Sequence, residues 1–169
     1  MVFETLVTQP TKMLKNLSAL IDKAAANAEA KKYDVSNVLQ ARLAPDQFNF
    51  IRQVQITCDT VKAAAARLAG QEPPKHEDNE KTVPELKARI QKTLDFLASM
   101  KAENYKDYEK RMVPIGHKPG KAVVGKEFLE QMVIPNFYFH LTTAYAILRH
   151  NGVEIGKSDY LGHINLRDM

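Results

Sequence analysis

The sequence has one cysteine, no long apolar run and no block of like charge. Each absence removes a class of protein. With Cys58 alone, the chain can form no internal disulfide and no cysteine-built zinc site. No stretch approaches the roughly 18 consecutive apolar residues of a membrane-spanning helix, so no membrane association is expected. The first residues, Met-Val-Phe-Glu-Thr-Leu, lack the basic start, apolar stretch and small-residue cleavage site of a secretory signal, and a cytoplasmic location is the expectation. Lys and Arg number 24 against 20 Asp and Glu, a formal charge of +4, but the two signs are interspersed. Nucleic-acid binders concentrate Lys and Arg on one face, so no nucleic-acid partner is expected. Internal repeats and low-complexity tracts are also absent.

The composition that is present, 44% hydrophobic and 26% charged over 169 residues, suits a single domain over residues 1–169 that buries its own core. From Pro10 to about Lys31, Leu14, Leu17, Ile21, Ala24 and Ala28 recur at helical spacing and predict a first amphipathic helix. A short turn, Val35 to Leu43, leads to Pro45, whose missing N–H suits the first position of a second helix. The apolar seam of that helix is Ile51, Val54, Cys58, Val61, Ala65 and Leu68, with Gly70 as its C-terminal cap. Residues 71–81 combine Pro73 and Pro74 with six charged side chains and read as a solvated linker. Thr82 caps a third helix with Pro84 in its first turn and Val83, Leu86, Ile90, Leu94 and Leu97 inward, ending near Lys101. Between Asn104 and Gly125 the rhythm fails, and Arg111–Ile115 with Lys121–Val124 resemble a small β-hairpin. Lys126 to His150 restores helix, with Pro135 expected to kink it or disturb one turn and Asn151-Gly152 to end it. The most economical fold is all-α: an up-down four-helix bundle with a short β-hairpin or irregular excursion before the last helix.

Three strings carry a resemblance: Ala41-Arg-Leu-Ala-Pro-Asp-Gln-Phe48, then Arg52-Gln-Val-Gln-Ile56 with Asp59, and Pro135-Asn-Phe-Tyr-Phe-His140 followed by Leu148-Arg-His-Asn-Gly152. Together they resemble an uncharacterised domain-of-unknown-function branch of the DinB/YfiT-like superfamily, over nearly the whole chain. The resemblance implies a four-helix bundle, commonly a homodimer, with an interhelical pocket that in many members holds a divalent metal on three histidines. Several metal-bearing relatives are thiol-dependent transferases or isomerases. The superfamily's helix-four histidine pair maps here to Asn136 and His140, and the helix-two histidine has no counterpart beside Gln53, Gln55 and Asp59. No cofactor is therefore expected. A divalent metal, if held, would rest on His140 and Asn136, a set poor for zinc.

Asn136 and His140 lie four apart, on one helical face, within a segment that otherwise reads as buried. A buried amide and imidazole need partners or a ligand, and His140, titrating near neutrality, is the candidate catalytic group. Asp46, Asn49, Gln53 and Thr57 follow at helical spacing on helix two, offset from its seam, as a stripe to face it. Asp46, Gln53, Asn136, Tyr138 and Tyr145 are thus the candidate ligand-binding residues. The plainer alternatives are a core histidine bonded to its neighbours, a helix-capping Asp46, and tyrosines that pack the core or a dimer. His150 and Arg149 suit a helix C-terminus, His76, His117 and His163 suit loops or the tail, and Cys58 suits the seam as a small hydrophobe.

Three functions compete: a small-molecule binder or metal-free degenerate enzyme, a metal-dependent transferase or isomerase, and a structural or stress-associated homodimer whose polar pair only fixes register.

Overall fold

The computed structural model describes residues 2–116 and 118–168. A π-helical turn, Glu4–Thr8, runs straight into α1 (Gln9–Ala30) and is followed by the single turn α2 (Ser36–Leu39). Then come α3 (Phe50–Leu68), α4 (Val83–Ser99), two 3-10 turns (Ala102–Tyr105 and Tyr108–Lys110), and the strands β1 (Met112–Pro114) and β2 (Ala122–Val124). The chain ends with α5 (Gly125–Glu127), a π segment (Phe128–Val133), α6 (Ile134–His150) and α7 (Lys157–Leu161). The four long helices are α1, α3, α4 and α6, as expected of the bundle. The strands pair antiparallel with Val113 opposite Val123.

The apolar seams meet in the middle of the bundle. Leu14, Leu17, Ile21, Ala24 and Ala28 of α1 and Val54, Cys58, Val61, Ala65 and Leu68 of α3 are all buried. Fully burying a Leu or Val contributes roughly 1.5–3 kcal/mol, so these stripes, more than helix propensity, hold the fold. The last of the long helices, α6, packs on α3, which also packs on α4, and α1 closes the ring against α4 and α6. The short α7 lies on α1, where Lys23 meets Asp159 at 2.7 Å and Asn16 donates to the Tyr160 carbonyl at 2.9 Å.

Helix ends follow local chemistry. Thr82 and Glu85 form a capping box at the start of α4. At the end of α3, Gly70 takes φ +75°, and the Gln71 and Gly70 amides bond the Ala66 and Arg67 carbonyls at 2.9 and 3.0 Å, a Schellman cap.

Two expectations are corrected. The second long helix starts at Phe50, not at Pro45: the Asn49 side chain accepts from the Arg52 amide at 3.0 Å and donates to Gln40 Oε1 at 2.6 Å. An Asn cap satisfies an orphan amide, which Pro45 cannot do, so residues 42–48 stay irregular. Nor is 71–81 simply solvated. The Arg89 side chain, 0% exposed, binds Asp78 and Glu80 of this segment at 2.9 Å each, and Asp59 of α3 at 2.6 Å. Arg52 adds an ion pair to Asp78, and Gln55 donates to Glu80 at 2.9 Å. The connection is a strap clamped across α3 and α4.

Pro135 disturbs the last long helix as expected, and the disturbance is the π segment just before it. Proline has no N–H to bond backward and crowds the carbonyl of the preceding turn, which a widened turn relieves.

Candidate functional site

Two polar rungs cross between α3 and α6, which run antiparallel. Asn136 Nδ2 donates to Thr60 Oγ1 at 2.8 Å, and one turn later His140 Nδ1 meets Gln53 Oε1 at 2.7 Å. The second rung has a defined proton order. Gln53 Nε2 donates to the Phe48 carbonyl at 3.0 Å, which turns Oε1 toward the ring. The Nδ1–H of His140 therefore donates, and the neutral ring carries its lone pair on Nε2. That Nε2 has no hydrogen-bond partner among the described residues. Burial first, and the Arg52 charge second, hold the imidazole below its usual range, so it is a neutral base or acceptor at pH 7. The exposed Phe139 ring stands edge-on to it at 5.1 Å, and Arg52 lies 5.8 Å over the exposed Phe48 ring.

The first rung borders a groove. Around Asn136, α3 and α6 part to leave an open groove of about 640 Å³. It is lined by Thr60, Ala63 and Arg67 from α3, by Phe128, Gln131, Met132 and Val133 from the π segment, and by Pro135, Asn136 and Phe139 from α6. Sequence reasoning reached only Asn136. Thr60, Ala63 and Arg67 recur at helical spacing beside the α3 seam, a signal that could have found them.

The expected residues thus divide. Gln53 and His140 meet directly, and Asn136 lies one turn away, where it is exposed and not buried as expected. Asp46 does not join them: with α3 beginning at Phe50 it sits exposed before the helix, with no hydrogen bond or ion pair to the described residues. Tyr138, two positions from His140 and so turned about 200° around the axis, lines a separate groove of about 290 Å³ with Leu6, Pro10 and Val61. Tyr145 packs edge-on to Tyr160 at 5.7 Å, so both tyrosines face away from His140. Cys58 is buried, and burial pushes its thiol up to about 12, which leaves it no nucleophile.

His150 is exposed at the end of α6, and His163 meets Asn165 at 2.9 Å in the tail. His76 lies in the strap, where burial, then Lys62 and Arg89, hold it below its usual range. His117 lies outside the described residues.

A metal of the kind held by three-histidine relatives does not fit these donors. One imidazole nitrogen is free, the Asn136 amide oxygen is a weak ligand for such a metal, and no group of three or more His, Cys, Asp or Glu converges among the described residues. No helix of the described residues is long and apolar enough to cross a membrane.

Comparison with known proteins agrees with this architecture. No curated protein matches the chain. A crystal structure of a DinB family member protein from Shewanella denitrificans is 48% identical and superposes with a TM-score of 0.96, over 100% of this chain and 96% of that one. Residues 2–161 match the domain of unknown function DUF1993. On that match and that likeness, the chain belongs to the DUF1993 family, a branch of the DinB-like helical bundles.

Proposed function

We propose that the protein binds a small molecule in the groove between α3 and α6. The observation that carries this reading is the groove itself, whose volume of about 640 Å³ falls within the roughly 300–1,000 Å³ of small-ligand sites. Its chemistry supports the reading too: apolar walls from Ala63, Phe128, Met132, Val133 and Phe139 with few polar groups, Thr60, Arg67, Gln131 and Asn136. Ala63→Trp fills the groove and gives the test. In a thermal screen of small molecules, a ligand at about one hundred times its Kd stabilises by ~2.7 kcal/mol and raises Tm by about 5–10 °C. Ala63→Trp should abolish those shifts while keeping the helical spectrum. Shifts that persist in Ala63→Trp, or a collection that moves neither protein, would count against the groove.

A second reading, a metal-free acid–base enzyme, rests on the free Nε2 lone pair of His140. Imidazole nitrogen shifts should report the Nδ1–H tautomer and a titration midpoint below 6.5. Because the folded ring resists protonation, stability is complete above the unfolded pKa of about 6.5 and falls as pH drops through that value toward the folded one. His140→Gln should remove the His140 part of this slope at little cost to the fold, whereas His140→Ala strands the Gln53 oxygen and costs about 1–3 kcal/mol. An Nε2–H tautomer with an ordinary midpoint would sink the reading.

A further inference from the structure

Arg67 gives the groove a charge preference. We infer that the groove takes an amphipathic monocarboxylate, its carboxylate on the Arg67 guanidinium and its apolar body along Ala63, Met132 and Phe139. The inference rests on the small-molecule reading of the groove and names the class of ligand.

The first observation is an unanswered cation. Arg67 is half-buried in the groove wall, and its side chain makes no hydrogen bond or ion pair with any described residue. Arg52 and Arg89, by contrast, are ion-paired to acidic side chains of the strap. The second is the absence of any competing acid, since no Asp or Glu among the described residues lines the groove. A guanidinium placed against apolar walls has lost part of its water and offers five donors in a rigid fork. That fork matches a carboxylate bidentately, and the lowered dielectric of the walls strengthens the pair. The third is the division of the groove into a polar end and an apolar body. Thr60 and Arg67 lie seven residues apart on one face of α3, about 10 Å along the axis at 1.5 Å per residue. A ligand anchored at Arg67 therefore runs past Ala63 before it meets the Asn136–Thr60 rung, with Phe139 beyond that rung on antiparallel α6, a length that suits a chain or ring system behind the carboxylate. A cationic head would face Arg67 with like charge, and a neutral one would accept a hydrogen bond without the charge assistance of a carboxylate.

Three probes of one chain length decide it, octanoate, 1-octanol and octylammonium, titrated calorimetrically into the wild type, Arg67→Gln and Ala63→Trp. Octanoate should bind the wild type at least about tenfold more tightly than 1-octanol, as expected of a charge-assisted pair, with octylammonium weakest. Arg67→Gln should bring octanoate down to the level of 1-octanol without weakening 1-octanol, and Ala63→Trp should abolish both. Equal binding of all three probes, unaffected by Arg67→Gln but lost in Ala63→Trp, would overturn the carboxylate preference and leave the groove reading standing. No binding of any probe to the wild type, or binding that survives Ala63→Trp, would overturn both. Helical circular dichroism of each variant shows that a loss of binding is not a loss of fold.

Discussion

Replacing Arg89 with Met should lower the unfolding free energy by several times the worth of a surface ion pair. The Arg89 side chain is 0% exposed and holds Asp59, Asp78 and Glu80 within ion-pair distance, and it also donates to the Glu77 carbonyl at 3.1 Å. Removing one partner of a buried ion pair costs about 3–5 kcal/mol because the remaining charges stay desolvated. Asp59 and Asp78 keep 35% and 38% of their side-chain surface and can rehydrate, whereas Glu80, at 10%, cannot. The loss should fall near the lower end, about 3 kcal/mol by urea unfolding. A loss under about 1 kcal/mol would mean that the strap is held by packing alone. The pH dependence carries the same signature. Burial alone would raise the Asp78 carboxyl, but its hydrogen bond and charge contact with Arg52, and then Arg89, outweigh it and hold the group below the usual range. This contribution is complete above the unfolded pKa of about 3.9 and is lost as pH falls through the lower folded value. Acid unfolding of Arg89→Met should be correspondingly less steep there.

The second large effect comes from adding one methyl group. Gly125 joins β2 to α5, and its amide bonds the Arg111 carbonyl at 2.7 Å. A Cβ at this position would lie 1.9 Å from the Tyr108 carbonyl oxygen and 3.1 Å from Leu68 Cδ2. The first of these is backbone, which cannot swing aside as a side-chain tip can. Gly125→Ala must therefore separate the hairpin from the 3-10 turn or forfeit the Arg111 bond. Overpacking costs about 1–3 kcal/mol and a lost buried bond about 1 kcal/mol more. Tm should fall by roughly 5–10 °C for a chain of this size. Gly116→Ala, where a Cβ meets nothing within 4 Å, is the control and should leave Tm unchanged.

What could be read from the residues was what depends on near neighbours. The seams of α1 and α3, the Thr82 box and the Gly70 cap are settled within one or two turns of chain, and they stand where the periodicity put them. The start of α3 was not so determined. Pro45 and Asn49 are both helix-start signals, and the choice falls to Asn49 because its side chain also reaches Gln40, a contact outside any local pattern. The strap escaped notice for a similar reason. Acidic residues beside two prolines look solvated until Arg89 is brought to them from the next helix. At the site, His140 and Gln53 were legible because each sits at helical spacing on one of two facing helices. Phe128 and Met132 were not, because the groove wall they form opens where the helix departs from its ordinary period.

That departure has an evolutionary consequence. A π turn closes its hydrogen bonds over one more residue than an α turn, so the Phe128–Val133 segment amounts to a helix that has absorbed one inserted residue. Phe128, Gln131, Met132 and Val133, all in that segment, form one wall of the groove. Losing a single codon just upstream of Pro135 would return the segment to α geometry, leave buried Phe128 in register with the helix that follows, and close the widened turn that carries Gln131 and Met132. Asn136, His140 and the seams of the other helices would stay in place. The wall of the proposed groove can therefore be remade by insertion and deletion, a route that leaves the seams of the other helices unaltered.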